Sequence, residues 1–363
     1  TIDDPSAYFQ TALYTGDGNH GHAITNDGNS DLQPDFLWIK NRGRAESHTV
    51  WDSTTSTSGG TMRLLHPDQS LVQAEDSAGA ASSFDSDGFT VGANTYKSNY
   101  SSDTYVAWQW KANGGTRVTF TESSNNPGGG YQANTTAGFS IIDYTGTLGD
   151  NGGGSGTFAH GLNSAPTFWA VKPRTDTSGS DNQWFVCHQG LASDYATDFI
   201  HFDTNGAVQD NALMWNDTAP SSSVITVGSK PGTNDDGESF ICYAWHDVQG
   251  FSKFGSYTGN GSTDGPFVYT GFKVGWLMIK GTSSGREWFM FDGTRDTYNP
   301  FNSYVKAEAN DAEADSTFGD FLSNGFKVRS DGASYNTNAQ TFIYIAFAEH
   351  PFVSSEGVPT TAR

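Results

Sequence analysis

The chain has 363 residues, of which 40 are acidic and 19 are basic, so its formal net charge is -21. A chain this acidic lacks the basic surface that neutralises nucleic-acid phosphates or anionic lipid, so we expect neither partner. Aromatic residues make up 14% of the chain and glycines number 43, a composition that favours strands and turns over helices.

The sequence predicts neither a membrane-spanning segment nor an export signal. No apolar run approaches the roughly 20 residues that cross a bilayer as a helix. The first ten residues, TIDDPSAYFQ, lack the basic and apolar regions of a signal peptide. We therefore expect a soluble protein that does not insert in a membrane and is not exported by such a signal.

Five signals recur in the same order three times along the chain, beginning with a turn and a strand. The first signal is a Tyr-Thr-Gly turn, which starts at Tyr14, Tyr144 and Tyr257. The second is an apolar strand that ends in lysine, at Lys40, Lys172 and Lys280. Such ordered repetition indicates a duplicated structural unit.

The remaining three signals are aromatic runs and turns. The third is a short run with an aromatic centre, in SHTVWD, QWFVCH and EWFMFD. The fourth is a turn followed by a strand, in FDSDGFTV and FLSNGFKV, which the middle copy replaces with SSSVITVG. The fifth is a long alternating strand, in TYVAWQW, SFICYAW and TFIYIAF.

These patterns predict an all-β fold of three tandem antiparallel β-sandwich modules, lectin-like or jelly-roll-like. Apolar runs of about five to eight residues alternate with Gly, Asn, Asp and Ser turns, and no sustained 3.6-residue period is present. Both faces of TYVAWQW are apolar, so we expect it at the centre of a sheet. Each module is expected to fill its own interior with its aromatic residues.

The composition also places the module boundaries. Gly-rich and polar segments separate the repeats, and the last ten residues are polar without a strand pattern, so they are either disordered or an arm that orders against a neighbouring chain. The predicted ranges are 1–115 for module 1, 116–250 for module 2, 251–353 for module 3 and 354–363 for a polar C-terminal tail.

The two cysteines, Cys187 and Cys242, lie in apolar runs typical of strands. Two cysteines exclude a disulfide scaffold and a four-cysteine zinc site. We predict buried free thiols, while a bridge between them stays open if their strands are neighbours.

Exposed aromatic residues in loops are the candidate binding residues, because flat rings stack on sugar rings or on a protein partner. Core packing is the alternative reading for any single one. The candidates for glycan or partner binding are Tyr96, Tyr100, Trp215, Tyr298 and Tyr304.

We predict no catalytic residue, metal site or cofactor. His20 and His22 are spaced to face one side of a strand, but their flanks predict a solvated loop. Calcium binding elsewhere stays open. Acidic groups that could supply paired carboxylates lie in turns or loops, namely Asp85 with Asp87, Asp235 with Asp236 and Glu238, and Glu308 with Asp311, Glu313 and Asp315.

Several long phrases resemble repeats in structural proteins of tailed bacteriophages, notably marine ones. They are PDFLWIKNR (34–42), YVAWQWKA (105–112), AHGLNSAPTFWAVK (159–172), GFSKFGSYTGNGSTDGPFVYTGF (250–272), FLSNGFKVRS (321–330) and TFIYIAFAEHPF (341–352). The similarity covers nearly the whole chain, although module 2 departs from it at the fourth signal. The resemblance implies lectin-like sandwiches and carries no catalytic residues.

The resemblance also implies a function and a location. It implies a structural protein on the surface of the virion, made in the host cytoplasm, of the tail-fibre or receptor-binding type. The implied partners are other virion proteins, copies of the chain itself as in a homotrimer, and host-surface carbohydrate. Two alternatives stay open: a capsid decoration protein, and a tail enzyme that degrades polysaccharide.

Overall fold

Antiparallel strands make up nearly all regular structure in the computed structural model, which describes residues 2–56, 61–76, 80–92 and 95–362. This confirms the predicted all-β fold and its sandwich-like layers. The strands of each main sheet fall within one of the three predicted ranges, so we keep the names module 1, module 2 and module 3. Within the described ranges, no helix has the length and apolar character to cross a membrane.

Module 1 consists of a six-stranded sheet facing a three-stranded sheet, preceded by a 3-10 turn at Pro5–Ala7. Its strands are β1 (Phe9–Thr15), β2 (His22–Thr25), β3 (Phe36–Asn41), β4 (Thr49–Asp52), β5 (Arg63–Leu65), β6 (Ala74–Glu75), β7 (Ala81–Asp85), β8 (Gly88–Val91) and β9 (Thr104–Trp110). The larger sheet has the order β1-β9-β3-β4-β5-β6 and the smaller one β2-β8-β7. The β7–β8 turn ends at Gly88, whose φ of 108° and approach to the Ile24 carbonyl leave no room for a Cβ atom.

Module 2 repeats this arrangement with a wider main sheet. Its elements are β10 (Val118–Phe120), β11 (Gly128–Asn134), β12 (Phe139–Thr145), β13 (Gly156–Ala159), β14 (Phe168–Pro173), β15 (Phe185–His188), β16 (Asp198–His201), β17 (Gln209–Asp210), α1 (Ala212–Trp215), β18 (Val224–Val227), α2 (Pro231–Asn234) and β19 (Ser239–Trp245), with 3-10 turns at Ser178–Ser180 and Tyr195–Thr197. The main sheet has the order β10-β11-β12-β19-β14-β15-β16-β17, and β13 pairs with β18. The segment SSSVITVG, which replaces the fourth signal, still forms a strand, β18.

Module 3 joins both of its layers into one eight-stranded sheet, because β24 pairs with strands on either side. Its elements are β20 (Ser252–Thr258), β21 (Phe267–Tyr269), β22 (Phe272–Gly281), β23 (Trp288–Asp292), β24 (Phe301–Lys306), β25 (Ala314–Leu322), β26 (Gly325–Val328), α3 (Ala333–Asn336) and β27 (Thr341–Pro351). The order is β20-β27-β22-β23-β24-β25-β26-β21.

The three copies share one register, which makes their positions directly comparable. The lysine-ended strand pairs with the long alternating strand in the same way each time: Lys40 with Val106, Lys172 with Ile241, and Lys280 with Ile343. The strand TYVAWQW is β9, which lies between β1 and β3, as predicted for a strand at the sheet centre.

The Tyr-Thr-Gly turns are fixed by a contact that the repeats share. Each tyrosine hydroxyl donates to the backbone carbonyl just before a fully buried asparagine, from Tyr14 to Ser98 (2.8 Å), Tyr144 to Thr233 (2.6 Å) and Tyr257 to Tyr335 (2.6 Å). That asparagine then accepts a backbone N–H three residues after the tyrosine, in the pairs Asn99–Asp17, Asn234–Thr147 and Asn336–Asn260. The turn therefore locks a distant loop onto the end of the sheet.

The aromatic residues fill four cores rather than three. Each module has its own core between its layers, but a fourth core is built from residues of all three modules. In β9, Tyr105 and Ala107 face the core of module 1, while Val106, Trp108 and Trp110 face the shared core. Each module therefore fills its own interior, as expected, but the second apolar face of each main sheet also packs against the other two modules, which the sequence did not predict.

Three equivalent backbone hydrogen bonds connect the modules in a ring. In each, the donor is the backbone N–H of a residue that follows β5, β16 or β24. The acceptor is the backbone carbonyl two residues after Lys40, Lys172 or Lys280. The pairs are Gln73 to Arg174 (3.2 Å), Val208 to Thr282 (2.9 Å) and Glu313 to Arg42 (2.8 Å). Because the same head-to-tail contact closes after three steps, the chain forms a pseudo-threefold ring around the shared core.

Equivalent polar contacts link the modules inside the shared core. At one of the three interfaces, both partner residues differ from those at the other two. The Trp108 indole donates to Asp292 (3.1 Å), and the Tyr243 hydroxyl donates to Asp52 (2.9 Å), whose pKa is raised by burial. At the third interface, Ile345 takes the place of the aromatic donor and His188 that of the aspartate, and the His188 ring bonds the Tyr344 carbonyl (3.1 Å). No buried carboxylate is thus left facing an apolar side chain.

The three lysines at the strand ends are fully buried and donate to backbone carbonyls. Lys40 Nζ reaches Asn310 of module 3 (3.3 Å), Lys280 Nζ reaches Gly206 of module 2 (2.9 Å), and Lys172 Nζ bonds Asn182 within module 2. Burial lowers the pKa of each lysine to about 8. Two of these side chains therefore join neighbouring modules.

The structure also tests the predictions for the two cysteines and the C-terminal tail. Cys187 and Cys242 are buried free thiols, as predicted. The tail folds back on the chain: Thr360 N donates to the Phe352 carbonyl (3.0 Å) and Ser355 N to Asp3 (2.7 Å). Its described residues are thus held by their own chain.

Candidate functional site

Two of the predicted binding residues, Tyr96 and Tyr100, form a stacked pair on module 1. Their ring centroids are 4.2 Å apart, and the Arg44 guanidinium lies 4.8 and 5.0 Å from the two rings. Arg44 is held by Asp103 at 2.5 Å. Tyr96 is exposed, but each ring already contacts its neighbour and the guanidinium, so less aromatic face is free for a ligand than the sequence suggests.

Trp215 is not the exposed loop residue that the sequence predicts. It lies in the one-turn helix α1, is fully buried, and its indole donates to the Asp198 carbonyl (3.1 Å). Asn211 caps this turn by accepting the Leu213 N–H and so directs Trp215 inward, 5.3 Å from Trp169. A helix of four residues has no periodicity that a sequence could show, which explains the error.

The other two candidates lie in module 3. Tyr298 is 81% exposed, just before the cis Asn299–Pro300 peptide. Tyr304 lies in β24 rather than in a loop, and it is half-buried at the wall of an open cleft of about 280 Å³. We call this the module 3 cleft, lined by Glu287, Phe289, Phe291, Tyr304, Lys306, Ser316, Phe318, Gly332, Ala333, Ser334 and Tyr335.

Aromatic rings form the inner wall of the module 3 cleft. Phe289 contacts Tyr304 and Tyr335 edge to face, with centroids 5.0 and 5.5 Å apart. Phe318 lies 4.4 Å from Tyr335 and 4.3 Å from Phe291. The packed phenylalanines hold the two tyrosines in place, so the wall is rigid before any ligand enters.

Polar groups surround the opening of the module 3 cleft. Glu287 accepts the Ser334 hydroxyl at 2.6 Å, which joins the sheet to α3 across the cleft. Lys306 lies 3.3 Å from Asp311; burial lowers the pKa of Lys306, but the Asp311 hydrogen bond and nearby Glu287 outweigh it and raise that pKa. The cleft thus offers a hydrogen-bond acceptor, Glu287, and the ammonium group of Lys306, which is paired with Asp311, beside aromatic faces.

The same place is closed in the other two modules. The residues equivalent to Tyr304 are Leu64 and Phe199, and both are buried. In module 2, Phe199 packs against Phe185 at 5.9 Å. The cleft is therefore a specific feature of module 3, and no repeat in the sequence indicated it.

Three of the acidic residues considered for chemistry, Asp85, Asp235 and Glu313, hold turns or an interface. Asp85 accepts the Ser83 and Thr90 hydroxyls, and Asp235 accepts the Ser178 N–H. Glu313 binds Arg42 (2.6 Å) and Arg295 (3.1 Å), and the second arginine also binds Asp292. Across the residues that the structure describes, no three His, Cys, Asp or Glu side chains lie close enough together to hold a metal ion.

One family model matches this chain, over residues 4–351, and its description is "Domain of unknown function (DUF7483)". The matched range spans all three modules. No curated protein and no solved structure matches the chain.

Proposed function

We propose that this chain, which belongs to the DUF7483 family, is a structural protein on the surface of a tailed bacteriophage particle that binds carbohydrate of the host cell. The module 3 cleft carries the binding part of the proposal. Its volume of about 280 Å³ is near the lower end of ligand sites and suits one sugar unit. The virion part derives from the resemblance of the repeats to phage structural proteins.

The wall of the cleft suits the two kinds of surface that a sugar ring has. Its apolar C–H face can pack on Tyr304 and Tyr335, while its hydroxyls can reach Glu287, Lys306 and Ser334. The aromatic wall is preorganised, so binding orders few side chains. One shallow cleft per chain predicts weak binding by each copy, which a particle that displays many copies strengthens by avidity.

The pseudo-threefold ring supports a role on the outside of a particle. The shared core joins the modules through apolar contacts and three equivalent backbone bonds, so we expect the chain to behave as one body rather than as three linked domains. A net charge of -21 keeps such a body soluble at high local copy number.

The first experiment measures glycan binding by the full chain on an array of bacterial surface polysaccharides. We expect binding that Tyr304→Leu weakens at least tenfold, because leucine is the residue at this position in module 1 and keeps the fold while removing the ring face. Tyr298→Ala is the matched control, since this exposed tyrosine lies outside the cleft lining, and it should bind normally. Equal binding by wild type and Tyr304→Leu would overturn the cleft as the site.

The second experiment locates the chain in the particle. Cryo-electron microscopy of the phage that encodes it, with an antibody fragment against the chain, should show density on tail fibres or on the tail tip. Density on the capsid surface would favour the decoration alternative, and its absence from the particle would refute a virion role. Release of short saccharides from a bound polysaccharide would instead favour the enzyme alternative.

A further inference from the structure

A second open site lies between modules 3 and 1, and none of the predicted binding residues lines it. It is a groove of about 370 Å³, which we call the 3/1 groove. Gly275 and Gly293 of module 3 form one wall, and Phe9, Gln10 and Thr11 of module 1 form the other. The two glycines bond each other through their backbones (2.8 Å), and Gly293 brings no side chain to this wall of the groove.

Side chains close the same position at the other two interfaces of the ring. Gly293 corresponds to Ser53 and Gln189, and the three residues make the same backbone bond to Gly275, Asp35 and Thr167. Between modules 1 and 2, Gln132 closes over Ser53 (2.8 Å) and the adjacent Thr54 (2.6 Å).

Between modules 2 and 3, a glutamine crosses the interface directly. Gln189 Nε2 donates to the carbonyl of Phe254, the residue of module 3 that corresponds to Thr11. The fold therefore accepts a side chain at this position twice and omits it once. Glycine at 293 is therefore not needed to make the ring, which separates the groove from the requirements of folding.

The lining of the 3/1 groove selects for an uncharged ligand with many hydroxyls. Thr11 and Thr294 supply hydroxyl groups, Asp27 supplies an exposed carboxylate, and Glu349 is balanced by Lys273 at 2.9 Å. None of the described residues that line the groove is a lysine, arginine or histidine, so the lining itself has no cation for an anionic ligand.

We propose that the 3/1 groove is a binding site for a neutral saccharide, distinct from the module 3 cleft and independent of it. Carboxylate and hydroxyl oxygens, such as those of Asp27, Thr11 and Thr294, accept hydrogen bonds from sugar hydroxyls. The two sites share no lining residue, so separate glycans can occupy them.

The test uses the full chain and a panel of neutral disaccharides: maltose, cellobiose, lactose and melibiose. Saturation-transfer NMR should show binding of at least one of them, and Gly293→Gln should weaken it at least tenfold. We expect the new glutamine to bridge to the Thr11 carbonyl as Gln189 does to Phe254, which closes the groove without disturbing the fold. Gly293→Ser, which copies module 1, should weaken binding by a smaller factor.

Controls separate this site from the cleft and from misfolding. Tyr304→Leu should leave the groove signal unchanged, and both Gly293 variants should unfold at the wild-type urea concentration. The proposal is overturned if no neutral disaccharide binds, if only glucuronic acid or glucosamine binds, or if Gly293→Gln binds the disaccharide as wild type does. If Gly293→Gln is folded and still binds glycan arrays through the cleft, binding at the cleft is independent of binding at the groove.

Discussion

Removing Trp245 should destabilise all three modules, although the residue belongs to module 2. Trp245 stacks on Phe139 at 4.6 Å and lies 5.3 Å from Phe168 within its own module. It also contacts module 1, with centroids 6.2 Å from Phe36 and 6.5 Å from Trp110. Replacing a buried tryptophan by alanine costs about 3–5 kcal/mol of unfolding free energy.

Urea unfolding distinguishes one cooperative body from three linked domains. The slope of the unfolding free energy with urea scales with the surface exposed, so a transition of the whole chain has about three times the slope of one module. We expect a single transition for wild type and for Trp245→Ala, with equal slopes and a lower midpoint for the variant. Hydrogen exchange under native conditions should rise in β9 and β27 as well as in β19.

A surface substitution provides the control. Leu71 is 60% exposed, so Leu71→Ala should change the unfolding free energy by no more than about 0.5 kcal/mol. If Trp245→Ala shifts only a transition with about one third of the total slope, while the other two thirds unfold as in wild type, the shared core does not couple the modules.

Three smaller predictions concern single buried polar groups. Tyr243→Phe removes the hydroxyl that Asp52 accepts, and urea unfolding should show a loss of about 1–3 kcal/mol; no loss would mean that the carboxylate is satisfied without it. Asn336→Ala frees the Asn260 N–H that it accepts and should cost about 2–3 kcal/mol, with a wild-type midpoint as the contrary result. Lys280 has a folded pKa of about 8 against an ordinary value of 10.5, so between these values the unfolded chain binds more protons and stability rises with pH. From pH 8 to 9.5, wild type should gain about 2 kcal/mol relative to Lys280→Met, and parallel pH profiles would contradict the shifted pKa.

Local patterning predicted the strands well, because it reports what each segment does by itself. The alternation in TYVAWQW correctly indicated a central strand with two apolar faces, and β9 is one. The pattern could not show what covers the second face. Trp108 and Trp110 must be buried, but a second sheet of the same module and a neighbouring module can bury an apolar face equally well.

The candidate sites were less accessible to sequence reasoning, for two physical reasons. Tyr304 and Trp215 both stand among turn-forming residues, yet one borders a cleft and the other fills a core. Only the packing around them decides between exposure and burial. The 3/1 groove lacks the side chain that the other copies carry at the position of Gly293, and glycine in a turn-rich chain carries no signal until equivalent positions are superposed.

Comparison of the three copies separates what the ring requires from what each module can vary. Positions at the interfaces keep their function even when their residues change, as where His188 and Ile345 together replace an aspartate and its aromatic donor. Positions such as Tyr304 and Gly293 lie at the edge of these contacts, where a change opens space without breaking the ring. Both open sites occur in module 3 or at its border with module 1. The two proposed binding sites therefore lie where the copies differ, while the backbone bonds that close the ring recur at every interface.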